Sequence, residues 1–77
     1  MRIIYSNHAE EKIKERELSK KTIETAISCP DKIIESQSGR KIIHKIINKK
    51  LLRVVIEEKN DLFIVVTAYY TKPERYR

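Results

Sequence analysis

Leu51-Leu52-Arg53-Val54-Val55-Ile56-Glu57 decides how this chain folds. On an extended backbone Leu52, Val54 and Ile56 share one side, while Leu51, Arg53 and Val55 share the other. Arg53 therefore points away from the richer apolar side, which predicts that it stands on the open face of a sheet whose other face is covered. The neighbouring runs extend this strand into a meander. Arg40 to Asn48 reads as a strand, Lys49-Lys50 as a tight reversal, Leu51 to Glu58 as the next strand, and Lys59-Asn60-Asp61 as a turn before Leu62 to Thr71. Upstream, Lys32 to Ser36 is a strand ending in the polar tip Ser36-Gln37-Ser38-Gly39, where the only glycine supplies turn geometry. Leu62 to Tyr70 is apolar on both sides. It suits a central strand covered by helices on one face and by a substrate, a tail or a second copy of the chain on the other.

The helices come from the N-terminal half. Ser6 or Asn7 opens the first, and Asn7 followed by Glu10 has the spacing of a capping box. Ala9, Ile13 and the stem of Arg16 form its buried stripe. Ser19 caps a second helix that buries Ile23, Ala26 and Ile27, with Leu18 and Ile23 placed as a hydrophobic staple. That helix ends near Cys29, because Pro30 disfavours helical conformation in the residue before it. The expected architecture is a single α+β domain over residues 1–77, with two N-terminal helices packed on a four-stranded antiparallel sheet. Arg2-Ile3-Ile4-Tyr5 is a brief edge strand or an extended lead-in.

A chain of 77 residues is near the lower limit for a core that needs no staple. Cys29 has no partner for an internal bridge and no apolar signal segment is evident, so a reducing, cytoplasmic setting is expected. The longest uncharged run, Leu62 to Thr71, is about half of what a membrane-spanning helix needs, so no membrane association is expected. The formal net charge of +6 is one-sided. Residues 1–39 hold seven Lys or Arg and seven Asp or Glu, whereas residues 40–77 hold ten bases and four acids. Arg40, Lys41, Lys45, Lys49, Lys50 and Arg53 follow one another with no acid among them. Together with Lys72 and Arg75 they read as nucleic-acid contacts, the alternative being lysines that protect sheet edges.

No glycine-rich phosphate loop, no paired Cys or His at metal-ligand spacing and no Gly-x-Ser-x-Gly elbow is present, so neither a cofactor nor a metal is expected. What remains is His8, His44, the bases and the tyrosines. Metal-independent RNA cleavage needs a base for the 2′-hydroxyl, cations for the phosphorane, an acid for the leaving oxygen and a stacking surface. His8 can serve as base or acid, Arg16 and Arg53 can hold the phosphate with help from Lys45, and Tyr69, Tyr70 or Tyr76 can stack or donate. His8 and Arg16 lie at a modest angle to each other on the first helix, which predicts one shallow pocket shared with Arg53 and Tyr69. His44 shares parity with Ile42 and Ile46 and reads as a core-edge imidazole satisfied by a neighbour.

The run from Ser6 to Ser19 resembles the Ser-x-His-Ala-x-x-Arg-Met-x-x-Arg-Gly-Ile-Ser opening of the family catalogued as domain of unknown function 4258, with His8, Ala9, Arg16 and Ser19 matching directly. Pro30-Asp31, Gly39-Arg40, Leu52-Arg53-Val54-Val55 and Val66-Thr67-Ala68-Tyr69 are also similar to it, so the likeness spans nearly the whole chain. That family is similar in layout to the RelE-like and BrnT-like ribonuclease toxins, where two helices pack on an antiparallel sheet whose open face holds the cleavage residues. The resemblance implies His8, Arg16, Arg53 and Tyr69 as the catalytic set, RNA as the substrate and an antitoxin protein as a partner. Three positions depart from the pattern: Lys12 replaces Arg, Ile13 replaces Met, and Glu17 replaces Gly. Lys12 keeps the charge but loses the planar fork, and Glu17 makes a left-handed helix end costlier by about 1 kcal/mol. The expected function is thus that of an RNA-binding, metal-independent endoribonuclease of the toxin type. The alternatives are a non-enzymatic nucleic-acid-binding module and a protein-interaction domain that pairs through the last strand, with a homodimer as one form of it.

Overall fold

Serine caps start both helices. A computed structural model describes residues 2–36 and 38–76, with the side chains of all of these except 75 and 76. The expected contact Arg75 and the stacking candidate Tyr76 thus fall outside the described side chains, and Gln37 falls outside the described backbone. In chain order the elements are β1 (Arg2–Tyr5), α1 (Asn7–Glu15), α2 (Lys20–Ser28), β2 (Lys32–Glu35), β3 (Arg40–Ile47), β4 (Lys50–Lys59), β5 (Leu62–Thr71) and a 3₁₀ turn (Pro73–Tyr76). The Ser6 hydroxyl accepts the Ala9 N–H at 3.0 Å, and the Ser19 hydroxyl accepts that of Thr22 at 3.3 Å. With Ser6 as the cap, Glu10 is one residue too far along for a capping box. It pairs instead with Lys20 of α2, at 2.8 Å.

The end of α1 is a Schellman motif. Leu18 N–H reaches back to Ile13 O at 2.8 Å and Glu17 N–H to Lys14 O at 3.2 Å, which requires Glu17 in the left-handed region at φ 53°. Leu18 packs on the core cluster that contains Ile13, so the apolar contact that accompanies this motif is in place. A glutamate here costs about 1 kcal/mol relative to glycine.

The sheet has five strands in the order β1-β5-β4-β3-β2 and is mixed. The expected four antiparallel strands are present as β2 to β5, but Arg2–Tyr5 is a fifth strand, and it runs parallel to β5 with Ile3 beside Phe63 and Tyr5 beside Val65. Four residues carry too little pattern to show pairing direction. The reason lies in the crossover: β1 feeds straight into α1, and Ser6 N–H continues the ladder onto Val65 O at 3.0 Å before the helix turns over the sheet. The β3–β4 reversal sits at Asn48-Lys49, one residue before the expected Lys49-Lys50, and both residues have positive φ, 51° and 70°. That is the geometry of a two-residue hairpin loop that favours Asn-Gly.

Leu52, Val54 and Ile56 face the helices with Ile43, Val65 and Ala68, and meet Ala9, Ile13, Ile23, Ala26 and Ile27 from above. Full burial of a Val, Leu or Ile side chain contributes about 1.5–3 kcal/mol, so this layer carries the fold. α1 lies on β5, and α2 on β3 and β4. A bulge in β5 leaves Val66 as the extra residue between the Val55–Thr67 and Ile56–Val65 pairs. Without it, Ala68 and Phe63 would lie on opposite faces, because a one-residue slip exchanges the two sides of a strand.

Candidate functional site

The face away from the helices is organised in cross-strand rows. Lys32, His44, Arg53 and Tyr69 stand side by side on β2, β3, β4 and β5. One flanking row is Ile34, Ile42, Val55 and Thr67, and the other is Ile46, Leu51 and Thr71. A polar row thus runs between two largely apolar ones. His44 and Leu51, both on this face, are each only 4% exposed.

Within the row the hydrogen bonds are directional. Arg53 donates from Nε to His44 Nε2 at 3.0 Å and from Nη1 to the Tyr69 hydroxyl at 2.5 Å. Its guanidinium carbon lies 5.6 Å from the centre of the Tyr69 ring. Because His44 Nε2 accepts, the imidazole is neutral with its proton on Nδ1. Burial, and then the charges of Arg53 and Lys32, hold the His44 pKa below its ordinary value of 6.5.

Arg16 reaches the same tyrosine from the side. It is the residue that ends α1, and it donates from Nη1 to Ala68 O at 2.8 Å with its guanidinium carbon 5.8 Å from the Tyr69 ring centre. β1 covers the outer edge of β5 only as far as Val65. Beyond it, Ser6 Oγ on Val66 O and Arg16 on Ala68 O satisfy carbonyls of the uncovered edge. Arg16 therefore closes a strand edge while bringing a second cation to Tyr69.

His8 stands apart. It is exposed on the first turn of α1, and among the described residues it makes no hydrogen bond, ion pair or ring contact with Arg16, Arg53 or Tyr69. The angular reading neglected the helix axis: eight residues at 1.5 Å each separate His8 from Arg16 by about 12 Å. Of the four expected residues, the structure brings Arg16, Arg53 and Tyr69 together and leaves His8 out. The imidazole that joins them is His44. Its place was legible only as a core-edge partner, because the register that sets it beside Arg53 depends on where the hairpin turns.

The acid-free basic block finds acids across the strands. Arg40 Nε lies 2.9 Å from Glu57, Lys41 Nζ 3.4 Å from Glu58, and Lys45 Nζ 3.6 Å from Asp31. Asp31 also accepts the Ile46 N–H at 2.8 Å, beyond the point where β2 begins, so one carboxylate ends the β3 ladder and holds a lysine. Among the described residues Lys49, Lys50 and Lys72 have no ion-pair partner. They line one open depression of about 740 Å³ at the hairpin end of the sheet, together with Tyr70, Thr71, Pro73 and Glu74. Among the described residues no three His, Cys, Asp or Glu side chains form a group able to hold a metal ion, and no helix is long and apolar enough to cross a membrane.

The architecture is that of a small α+β domain with two helices on one face of a mixed sheet and a polar row on the other. Residues 5–70 match the family described as Domain of unknown function (DUF4258), and the chain belongs to that family. No curated protein and no solved structure matches it.

Proposed function

We propose that this protein binds RNA on the open face of its sheet and cleaves it without a metal, in the manner of the RelE-like and BrnT-like ribonuclease toxins to which its family is similar in layout. The observation that carries this reading is the Arg53–Tyr69 contact with Arg16 over the same ring: two guanidiniums and a phenol within one side chain's reach. In the reaction the 2′-oxygen attacks phosphorus as its proton leaves to a base, and the P–O5′ bond breaks as O5′ takes a proton. Products are a 2′,3′-cyclic phosphate and a 5′-hydroxyl. Arg53 and Arg16 neutralise the charge that builds on the phosphorane oxygens. Tyr69, whose oxygen already accepts from Arg53, is the proton donor to O5′. His44 is a positioning residue, because its Nε2 fixes the plane of the guanidinium from a buried site. His8, the one imidazole not engaged in the cluster, is exposed about 12 Å along α1 from Arg16, and its expected role as base is tested by substitution.

One observation favours the second reading, a nucleic-acid-binding module without turnover: the only imidazole in the cluster is buried and its Nε2 is engaged. An end-group analysis separates the two. RNA incubated with the protein and a chelator should acquire cyclic-phosphate and 5′-hydroxyl ends, and Tyr69→Phe should slow their appearance by about 10²–10⁴-fold with affinity nearly unchanged. RNA that is retained but stays intact supports the binding module instead.

A further inference from the structure

Among the described residues, three of the cations outside the ion pairs meet at the hairpin end of the sheet. Lys49 and Lys50 come from the β3–β4 hairpin and Lys72 from the end of β5, and all three border the depression that Tyr70 and Thr71 floor. Tyr70 is 38% exposed, one of few large side chains left open, and it pairs across the ladder with Leu52, so its ring belongs to the strand framework and is on the helix side of β5, at the end of the sheet. Lys49 sits at φ 70°, in the second position of a turn where glycine is preferred. A lysine there keeps a charge at the cost of backbone strain, and strain of this kind points towards use. Among the described residues Glu74 is the one acid on the rim, against three bases. Thr71 lies two residues beyond Tyr69, on the same face of β5 and about 7 Å along it. The depression therefore wraps the hairpin end of the sheet, with Thr71 on the side of the Arg53–Tyr69 row and Tyr70 on the helix side.

We propose that this depression holds single-stranded RNA that continues from the cleaved phosphate around the hairpin end of the sheet, with a base stacked on Tyr70 and flanking phosphates on Lys49, Lys50 and Lys72. This rests on the RNA reading above and adds a subsite to it. Stacking on an aromatic ring is tolerant of base identity and needs an unpaired base, so single strands are preferred over duplex. Each phosphate held by a lysine releases counterions, so the site makes its own contribution to salt dependence.

The test is anisotropy of a labelled single-stranded RNA of about 12 nucleotides, within the range such surfaces cover, titrated over a series of salt concentrations. Lys49→Gln/Lys50→Gln/Lys72→Gln should weaken binding and flatten the slope of log K against log salt by about 2, from three phosphates at about 0.7 each. Tyr70→Leu should weaken binding about 5- to 150-fold with the slope unchanged, the loss of one stacked base. Thermal melts of both variants check that they fold. If wild type binds the RNA and both variants bind it equally well, the subsite is overturned while the RNA reading stands. If only the triple variant weakens, or duplex RNA of equal charge binds as well as the single strand, the site is a general anion patch and the stacking role is overturned. If wild type binds no RNA at low salt, the RNA reading itself fails and this proposal with it.

Discussion

The two faces of the sheet are built from the same strands by the same alternation, yet they obey different rules. The helix face is a continuous apolar layer in which Leu52, Val54, Ile56, Val65 and Ala68 are all within 1% of complete burial. The open face interleaves apolar rows with Lys32, His44, Arg53 and Tyr69. Burial alone specifies the first face. The second is specified by donor–acceptor geometry, since Arg53 is satisfied only when His44 and Tyr69 stand on either side of it. A face held by directional bonds constrains where a cation points, and this makes it the place to look for chemistry.

The largest expected contrast is in stability. Leu52→Ala removes a side chain that is 1% exposed beneath the helices and should cost about 2–5 kcal/mol in denaturant unfolding. Val55→Ala, one parity step away and half-buried on the open face, should cost clearly less. Equal losses would mean that the open face contributes as much core as the covered one. Asp31→Ala comes next. It leaves the Ile46 N–H and Lys45 without their carboxylate, and about 1–3 kcal/mol should be lost, with faster amide exchange at Ile46.

Smaller, and opposite in sign, are two of the left-handed residues. Glu17→Gly and Lys49→Gly should each raise stability by about 1 kcal/mol, because both relieve a positive φ. If Lys49→Gly is stabilising and also weakens RNA binding, strain and function coincide at that turn.

The smallest effect is the pH dependence of the open face. His44 titrates below 6.5 in the folded state and near 6.5 when unfolded, so the unfolded chain binds the proton first as pH falls. Stability supplied by neutral His44 is complete above the unfolded value and drains away as pH drops through 6.5 towards the folded value. Comparing His44→Gln with wild type should show a difference that shrinks on acidification below 6.5. A difference that grows instead would mean that His44 is held charged.

What the sequence disclosed follows the same division. The parity of Leu51 to Glu57, the serine caps and the Cys29-Pro30 stop are local signals, and each positions part of the covered layer. The parallel pairing of β1, the bulge at Val66 and the carboxylates that meet Arg40 and Lys41 from the next strand depend on register, which no single strand contains. Moving the hairpin turn by one residue, from Lys49-Lys50 to Asn48-Lys49, is what sets Arg40 opposite Glu57 and His44 opposite Arg53. The Asn48 that favours such a turn was the available clue. His8 illustrates the converse error, since nearness on a helical projection says nothing about distance along the axis.

The central claim is that the open-face cluster, centred on Arg53, is where RNA is cut. The most direct measurement is single-turnover cleavage of RNA with metals chelated, comparing wild type with Arg53→Gln and His8→Ala at a temperature where all three are folded. Wild type should cleave, and Arg53→Gln should lose about 10²–10³-fold in rate, as expected when a donor to a charged transition state is removed. His8→Ala tests whether the exposed imidazole is the base, with a loss of about 10²–10⁴-fold if it is. Wild type that leaves RNA intact, or Arg53→Gln that cleaves as fast as wild type, would contradict the claim.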